Sequence, residues 1–264
     1  MTADRHGIPC WYELSTTNVD AAQAFYASVI GWKWSAAGME GFDYRIASSG
    51  GDLIAGAAAG APDAPGPGWT IYFAVANADE TANAMAADGC TVLVPPTDIP
   101  NTGRFSLLRD PDGARFGILS AEPMESGEGS QAFAMDNIGH GNWNELMAGN
   151  AESALAFYGR HLGWTLSQAL EMGPGMTYRI FACHGQNIGG MTDLMPGMPG
   201  PGGPFWLPYF GANGIDAAIR RVKKAGGTVL HGPHEVPGGA FIAVARDPQG
   251  AYFALVGPKK VAKR

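Results

Sequence analysis

Charged residues are scarce in this chain of 264 residues, where Asp, Glu, Lys and Arg together make up 16%. The formal net charge of -7 argues against nucleic-acid binding, because Lys and Arg drive the contact with phosphates. The three cysteines, Cys10, Cys90 and Cys183, form no CxxC pair, which excludes a zinc ribbon or a thioredoxin-type motif. No apolar run approaches the length of a membrane span, and the first residues carry no apolar leader. We therefore expect a cytoplasmic protein with reduced thiols and with no membrane or nucleic-acid partner.

The C-terminal half of the chain repeats the N-terminal half. The order of short motifs is kept throughout, and their offset grows from 132 to 137 residues only where loops could absorb it. The repeated motifs are WYEL at 11–14 and WNEL at 143–146, FY at 25–26 and 157–158, GW at 31–32 and 163–164, YRI at 44–46 and 178–180, and DPDG at 110–113 and DPQG at 247–250. Self-similarity of this kind indicates an internal duplication. We predict domains at 5–122 and 137–258, joined by a Gly- and Ser-rich linker at 123–136.

Each half has the pattern of strand, helix and three strands twice over. After a strand at 10–16, Asn18 is a good N-cap, and Ala22, Phe25, Tyr26 and Val29 follow at helical spacing. Gly31 would end that helix, and core packing is the favoured interpretation of Phe25 and Tyr26. The same pattern predicts a second helix over 79–88 and strands at 91–94, 104–109 and 115–120. The fold class is therefore α+β, with four βαβββ modules.

These motifs resemble the vicinal oxygen chelate superfamily, which includes glyoxalases, bleomycin-resistance proteins and extradiol dioxygenases. The resemblance rests on the FY, GW and DPxG motifs of each half, together with Asn18 and Asp79 in the first half and Asn150 and Asp216 in the second. It covers nearly the whole chain. It implies two tandem glyoxalase-like domains, in which paired modules form curved, half-open mixed sheets around a small-molecule cavity.

The resemblance also implies positions for metal ligands, and this chain departs from it at each of them. The first-strand position falls on Trp11 and Trp143, the fifth-strand position on Thr70 and Leu207, and the Glu after the DPxG turn on Gly117 and Ala254. None is an ordinary ligand of a divalent cation. The histidines do not repeat either, since His231 of the HxxH segment at 231–234 matches Val94. We therefore predict no metal and no other cofactor.

An aromatic wall with one acid replaces the chelating residues. Because side chains alternate along a strand, Glu13 shares a face with Trp11, and Glu145 with Trp143. Such a surface suits a planar or cationic ligand, and a carboxylate in an apolar pocket could act as a proton-transfer base. We assign Glu13 and Glu145 as candidate catalytic residues, and as candidate ligand-binding residues Trp11, Trp143, Trp69, Thr70, Tyr72, Trp206, Leu207, Tyr209 and Arg104.

A structural role explains the same residues as well. The two Glu could pair with Arg45, Arg179 or Arg104, or hydrogen-bond to neighbouring backbone. The aromatic residues could fill the core or form a contact between the domains. Two functions therefore stay open: a lyase or isomerase that uses Glu as a base, and a protein that binds or sequesters a drug or metabolite without chemistry. Either would take a small-molecule ligand, as a monomer or a homodimer. A third alternative is a scaffold whose cavities are filled by the Trp side chains.

Overall fold

The computed structural model describes residues 5–39, 41–60, 66–122 and 129–261. Residues 123–128 of the predicted linker lie outside this description. Beyond them, Ala132 is fully buried and Phe133 nearly so, and the backbone N–H of Ala134 donates to the carbonyl of Gly141. Residues 132 and 133 of the predicted linker are therefore packed, and the division into domains at 123–136 stays a prediction.

Sixteen strands and four helices are present in the described residues, in the predicted order of strand, helix and three strands. The first half contains β1 (Pro9–Thr16), α1 (Val19–Val29), β2 (Lys33–Ala36), β3 (Arg45–Ser49), β4 (Asp52–Ala59), β5 (Gly68–Ala74), α2 (Ala78–Ala87), β6 (Thr91–Ile99), β7 (Gly103–Arg109) and β8 (Arg115–Ala121). The second half contains β9 (Gly141–Ala148), α3 (Ala151–Leu162), β10 (Thr165–Gly173), β11 (Met176–Cys183), β12 (Gln186–Asp193), β13 (Phe205–Gly211), α4 (Ile215–Lys224), β14 (Thr228–Glu235), β15 (Phe241–Arg246) and β16 (Tyr252–Gly257). We call the four sets of strand, helix and three strands modules 1 to 4.

The strands form two open, mixed sheets of eight. Their orders are β2-β3-β4-β1-β5-β8-β7-β6 and β10-β11-β12-β9-β13-β16-β15-β14. Within each module the first strand runs parallel to the last, as β1 does to β4, and the other pairs are antiparallel. The predicted fold class, α+β with four βαβββ modules, is confirmed. Among the described residues, no helix is both long and apolar enough to cross a membrane.

Side-chain caps define where α1 and α3 begin. The Asn18 side chain accepts a hydrogen bond from the backbone N–H of Ala21, and Asn150 accepts one from Ser153 in the second copy. These bonds satisfy N–H groups that have no partner inside the helix. After α1 the chain turns at Gly31, where φ is +97°, a conformation that glycine adopts without strain.

Contacts group the described chain into two compact units. Unit 1 takes its residues from Met1–Cys10, Ile71–Ser130 and Asn144–Trp206, and therefore holds most of modules 2 and 3. Unit 2 takes its residues from Trp11–Thr70, Gln131–Trp143 and Leu207–Arg264, and holds most of modules 1 and 4.

An aromatic cluster forms the core of each unit. In unit 2, Tyr26 stacks on Trp32 and meets Trp69 edge-on, at centroid distances of 5.6 and 5.3 Å. In unit 1, Tyr158 stacks on Trp164 at 4.8 Å and meets Trp206 edge-on at 5.6 Å. Phe25, Tyr26, Phe157 and Tyr158 are all buried, so the prediction that they pack in the core is confirmed.

Candidate functional site

Strand β1 presents two different faces. Tyr12 and Leu14 are fully buried, whereas Trp11, Glu13 and Ser15 are half-buried. This alternation follows from the two-residue period of a strand. Trp11 and Glu13 therefore share one face of unit 2, as the sequence predicts.

Tyr44 connects Trp11 to Glu13. The indole Nε1 of Trp11 donates to the Tyr44 hydroxyl at 2.9 Å, and that hydroxyl lies 3.1 Å from Oε2 of Glu13, to which it donates. Burial raises the pKa of the Tyr44 phenol, and the charge of Glu13 raises it further, so the hydroxyl keeps its proton. We call Trp11, Tyr44 and Glu13 the β1 triad.

A glycine on the neighbouring strand makes room for the triad. Gly56 of β4 lies opposite Glu13 in the parallel register of β1 and β4. A Cβ atom at Gly56 would collide with the ring and hydroxyl of Tyr44. The small residue is therefore what allows the Tyr44 ring to lie over β4 and reach Glu13.

The second repeat has the same combination of tyrosine, glycine and glutamate. Glu145 of β9 lies opposite Gly190 of β12, and a Cβ atom at Gly190 would collide with the ring of Tyr178. Trp143 is half-buried, as Trp11 is, but Glu145 is more deeply buried than Glu13. The duplication therefore preserves the arrangement and not only the WxEL motif.

Sequence reasoning did not identify Tyr44 and Tyr178 as site residues, although both lie in the repeated YRI motif. Phe42 was also missed. Its ring is 49% exposed and stacks on Tyr44 with the centroids 6.0 Å apart, which extends the aromatic surface beside the triad.

The candidate residues of β5 and β13 are buried. Thr70 is 2% exposed, Leu207 is 1% exposed, and Tyr72 and Tyr209 are 3% exposed each. Unlike the half-buried β1 triad, these four side chains present little surface to a ligand in this structure.

Trp69 and Trp206 belong to the aromatic cores. In unit 2, Trp69 Nε1 donates to the Tyr26 hydroxyl at 3.0 Å, and this hydroxyl donates to Asp247 Oδ2 at 3.1 Å. In unit 1, Trp206, Tyr158 and Asp110 form the same chain at 3.2 and 2.9 Å. Burial raises the pKa of both carboxyl groups. These bonds give both tryptophans a structural role in the cores.

The arginines considered as partners of the two Glu are engaged elsewhere. Arg104 forms ion pairs with Asp79 and Asp98, both at 2.7 Å. Arg45 pairs with Asp43 and Asp20. Within the described residues Arg179 forms no ion pair, and its Nη1 atom is buried without a hydrogen bond. Arg104 and Arg45 are therefore held by aspartates.

The donor set does not fit the metal that the resemblance implies. Gly117, at the position of the chelating Glu, lies opposite Tyr72, and a Cβ atom there would collide with the Tyr72 ring. Ala254 lies opposite Tyr209 in the same register. Across the described ranges, no group of three or more His, Cys, Asp or Glu side chains could hold a metal ion. At Gly117 the Tyr72 ring occupies the side of the strand where a carboxylate would have to be placed.

The cysteines are free and buried in the described structure. Burial raises the pKa of Cys10 and Cys90 to about 12 and that of Cys183 to about 11. Thiols of this kind stay protonated near neutral pH and are poor nucleophiles or metal ligands. They do not contribute to the candidate site.

Comparison with known proteins gives relatives over the full length of the chain. The chain is 34% identical over 260 residues to "Putative glyoxylase CFP32" of Mycobacterium tuberculosis, with 96% of each chain covered. It is 31% identical over 271 residues to the anthracycline biosynthesis protein DauV of Streptomyces sp. strain C5, with 97% of this chain and 95% of the relative covered.

Solved structures share the fold at low sequence identity. The Mn(II)-bound glyoxalase from Novosphingobium aromaticivorans has a TM-score of 0.66 and is 18% identical, covering 98% of this chain and 84% of its own. BphC, a halotolerant catechol dioxygenase, has a TM-score of 0.67 and is 13% identical, covering 99% and 90%.

The family model matches each half of the chain separately, at residues 10–118 and at residues 137–255. The resemblance predicted from the sequence is confirmed, and the chain belongs to the Glyoxalase/Bleomycin resistance protein/Dioxygenase superfamily.

Proposed function

We propose that the protein binds a small, planar organic cation beside the β1 triad, and that this binding requires no metal ion. The observation that carries the proposal is the hydrogen-bonded chain from Trp11 through Tyr44 to Glu13 on a half-buried face. The relatives named for glyoxylase activity and for anthracycline biosynthesis support a role in small-molecule metabolism.

The chemistry of the triad favours a positive charge on the ligand. Trp11 and Tyr44, with the exposed ring of Phe42, offer π-faces that attract cations by about 0.5–2 kcal/mol each. Glu13 adds a formal negative charge on the same face. Hydroxyl donation from Tyr44 stabilises the charged form of that carboxylate, since a hydrogen bond to a charged group favours it.

Metal independence is supported by the residues that replace the ligands. Trp11, Thr70 and Gly117 stand where the resemblance implies chelating side chains, and the Tyr72 ring covers Gly117. Binding in this superfamily member would therefore depend on aromatic contacts and on the Glu13 charge.

Binding is the first candidate at Glu13, because that carboxylate lies on a half-buried face beside Trp11 and Tyr44. Catalysis is the second candidate at Glu145, whose deeper burial, with only 9% of the residue exposed, favours a proton-transfer base. There a carboxylate would take a proton from a carbon beside a carbonyl and return it to a neighbouring atom. This is an isomerisation without net change of atoms or electrons.

Calorimetry with two matched probes tests the binding proposal. N-methylquinolinium and quinoline, which is neutral at pH 8, have nearly the same shape and differ in charge. After dialysis against a chelator, we expect the cation to bind more tightly than quinoline. The Glu13→Gln variant should keep the contribution of the aromatic rings and lose that of the carboxylate, so its preference for the cation should fall by about 1 kcal/mol, or fivefold, for a half-exposed charge.

A matched charge control separates a local effect from a general one. Glu80 is exposed on α2, and Glu80→Gln removes the same charge without touching the triad. This control should retain the preference for the cation. Equal binding of both probes by the wild type, or loss of binding in the chelator, would contradict the proposal.

Replacement of Glu145 separates the two functions. A turnover that Glu145→Gln abolishes, while the variant still binds substrate, would establish an enzyme. If no carbonyl substrate is isomerised by the wild type at all, the protein is a binder.

A further inference from the structure

Two histidines lie side by side on the edge strand β14. The rings of His231 and His234 have their centroids 4.8 Å apart, at an interplanar angle of 45°. Both residues are exposed. β14 is the last strand in the order of its sheet, so it has a neighbour on one side only.

Irregular pairing brings both side chains to one face. In a regular strand, residues three positions apart point to opposite faces. Here the register with β15 shifts between Val229 and His231 and again between His231 and His234. As a result His231 lies opposite Val244 and His234 opposite Ile242, and these two β15 residues, two positions apart, share a face.

The ring nitrogens of this pair differ from those of the other histidines. Over the part of the chain that the structure describes, neither ring of the pair forms a hydrogen bond. The four other histidines each bind a protein acceptor through the ring: His6 to the His161 carbonyl, His140 to Asp52, His161 to Asp88, and His184 to the His6 carbonyl. Both ring nitrogens of each member of the pair are therefore available as metal ligands, whereas each of the other four histidines has at least one ring nitrogen engaged.

We propose that His231 and His234 form a two-histidine site for a late first-row divalent metal ion such as Cu²⁺, Ni²⁺ or Zn²⁺. Imidazole nitrogens bind such ions at about 2.0–2.1 Å, so one ion shared by two rings places their centres about 5 Å apart. The observed separation fits this requirement. With two protein ligands, water or another small molecule completes the coordination.

The site differs from the metal position that the resemblance implies. On this face His231 lies opposite Val244 of β15, and Val244 lies opposite Ala254 of β16. Ala254 is the position of the usual chelating Glu. Two strand spacings, about 10 Å, separate His231 from it. The pair is thus a site of this chain's own residues and is independent of the β1 triad.

The first repeat supplies the ideal variant. There β6 has the same irregular register with β7, but Val94 and Thr97 stand in place of the two histidines, opposite Leu107 and Phe105. The double variant His231→Val with His234→Thr therefore places in β14 the two residues that occupy the corresponding positions of β6. It should fold as the wild type does, which far-UV circular dichroism would verify.

Metal titration of the untagged protein by calorimetry tests the proposal. After dialysis against a chelator and then chelator-free buffer, the wild type should take up one equivalent of ion, with Cu²⁺ bound most tightly. The double variant should lose at least about tenfold in affinity, since loss of even an outer partner commonly costs 10–100-fold. The electron paramagnetic resonance spectrum of Cu²⁺ bound to the wild type should show hyperfine splitting from nitrogen ligands. The double variant should lack this splitting.

A second variant controls for binding by other histidines. His184 is also exposed, and its positive φ of 48° is tolerated by asparagine, so His184→Asn removes one imidazole elsewhere. This variant should bind one equivalent with wild-type affinity. Undiminished binding by the double variant, or no uptake of any of the three ions by the wild type, would overturn the proposal.

Discussion

The buried chain from Trp69 through Tyr26 to Asp247 offers a sharp test of what stabilises unit 2. The Tyr26→Phe substitution removes one oxygen and keeps the ring that packs against Trp32 and Phe25. Because the ring stays, no cavity of consequence forms. The perturbation is thus confined to two hydrogen bonds, at 3.0 and 3.1 Å, in a fully buried position.

The expected loss follows from the groups left behind. Trp69 Nε1 loses its acceptor and Asp247 Oδ2 loses its donor, and each such buried group costs about 1–3 kcal/mol. We therefore expect Tyr26→Phe to lower the free energy of unfolding by about 2–6 kcal/mol, a large part of the about 5–15 kcal/mol that is usual for a domain. Guanidinium denaturation followed by tryptophan fluorescence and circular dichroism would measure it.

A double-mutant cycle with Trp69→Phe identifies the cause. When Tyr26 is already Phe, removing the indole N–H also removes an unpaired donor, so the double variant should cost less than the sum of the two single variants. Additive costs, or a loss below about 0.5 kcal/mol for Tyr26→Phe, would refute the reasoning. Tyr158→Phe should behave alike in unit 1, where the same chain is present.

Three further predictions concern pH, space and thiols. Burial raises the folded-state pKa of Asp110 and Asp247 above the ordinary 3.8, so their contribution to stability is present at low pH and is lost as the pH rises through the raised value. Urea denaturation should be measured between pH 3.5 and 6, about the window in which a carboxyl titrates. The free energy of unfolding should fall less steeply with rising pH in Asp110→Asn than in the wild type. Parallel curves would contradict a raised pKa of Asp110 in the folded state. Gly56→Ala should displace Tyr44, lower the free energy of unfolding by about 1–3 kcal/mol and weaken binding of N-methylquinolinium. Gly68→Ala is the control, because a Cβ atom there meets nothing within 4 Å, and it should change neither stability nor binding. Buried Cys10, Cys90 and Cys183 should react with an aromatic disulfide at pH 7.5 far more slowly in the native protein than in guanidinium, where all three thiols should react. Fast reaction of the native protein would contradict the burial of the thiols.

Local patterns were sufficient to predict the helices. Asn18 caps α1, and the helical spacing of Ala22, Phe25, Tyr26 and Val29 corresponds to the buried face. These features depend on residues within one or two turns, so the sequence contains all that is needed.

The edge strands were predicted less well. The strand predicted at 91–94 continues to Ile99, through Pro95 and Pro96. Proline removes a backbone donor and argues against a central strand, but β6 is the last strand of its sheet and shifts its register between Val94 and Thr97. The position of a strand within a sheet is a tertiary property, which the local pattern does not contain.

The candidate site shows the same limit. Strand alternation predicted that Trp11 and Glu13 share a face, and the structure places both there half-buried. Tyr44 was not predicted, because its contact with Glu13 depends on the register that places Gly56 opposite Glu13. Tyr26 and Asp247 lie 221 residues apart, so no local signal could pair them.

The central claim is that the β1 triad binds an organic cation through the Glu13 charge and without a metal. The most direct measurement is the ratio of the dissociation constants of quinoline and N-methylquinolinium at pH 8 in chelator, for the wild type and for Glu13→Gln. We expect a ratio of about 5 or more for the wild type and a ratio about fivefold lower for the variant. A ratio of 1 in both proteins, or an unchanged ratio in the variant, would contradict it.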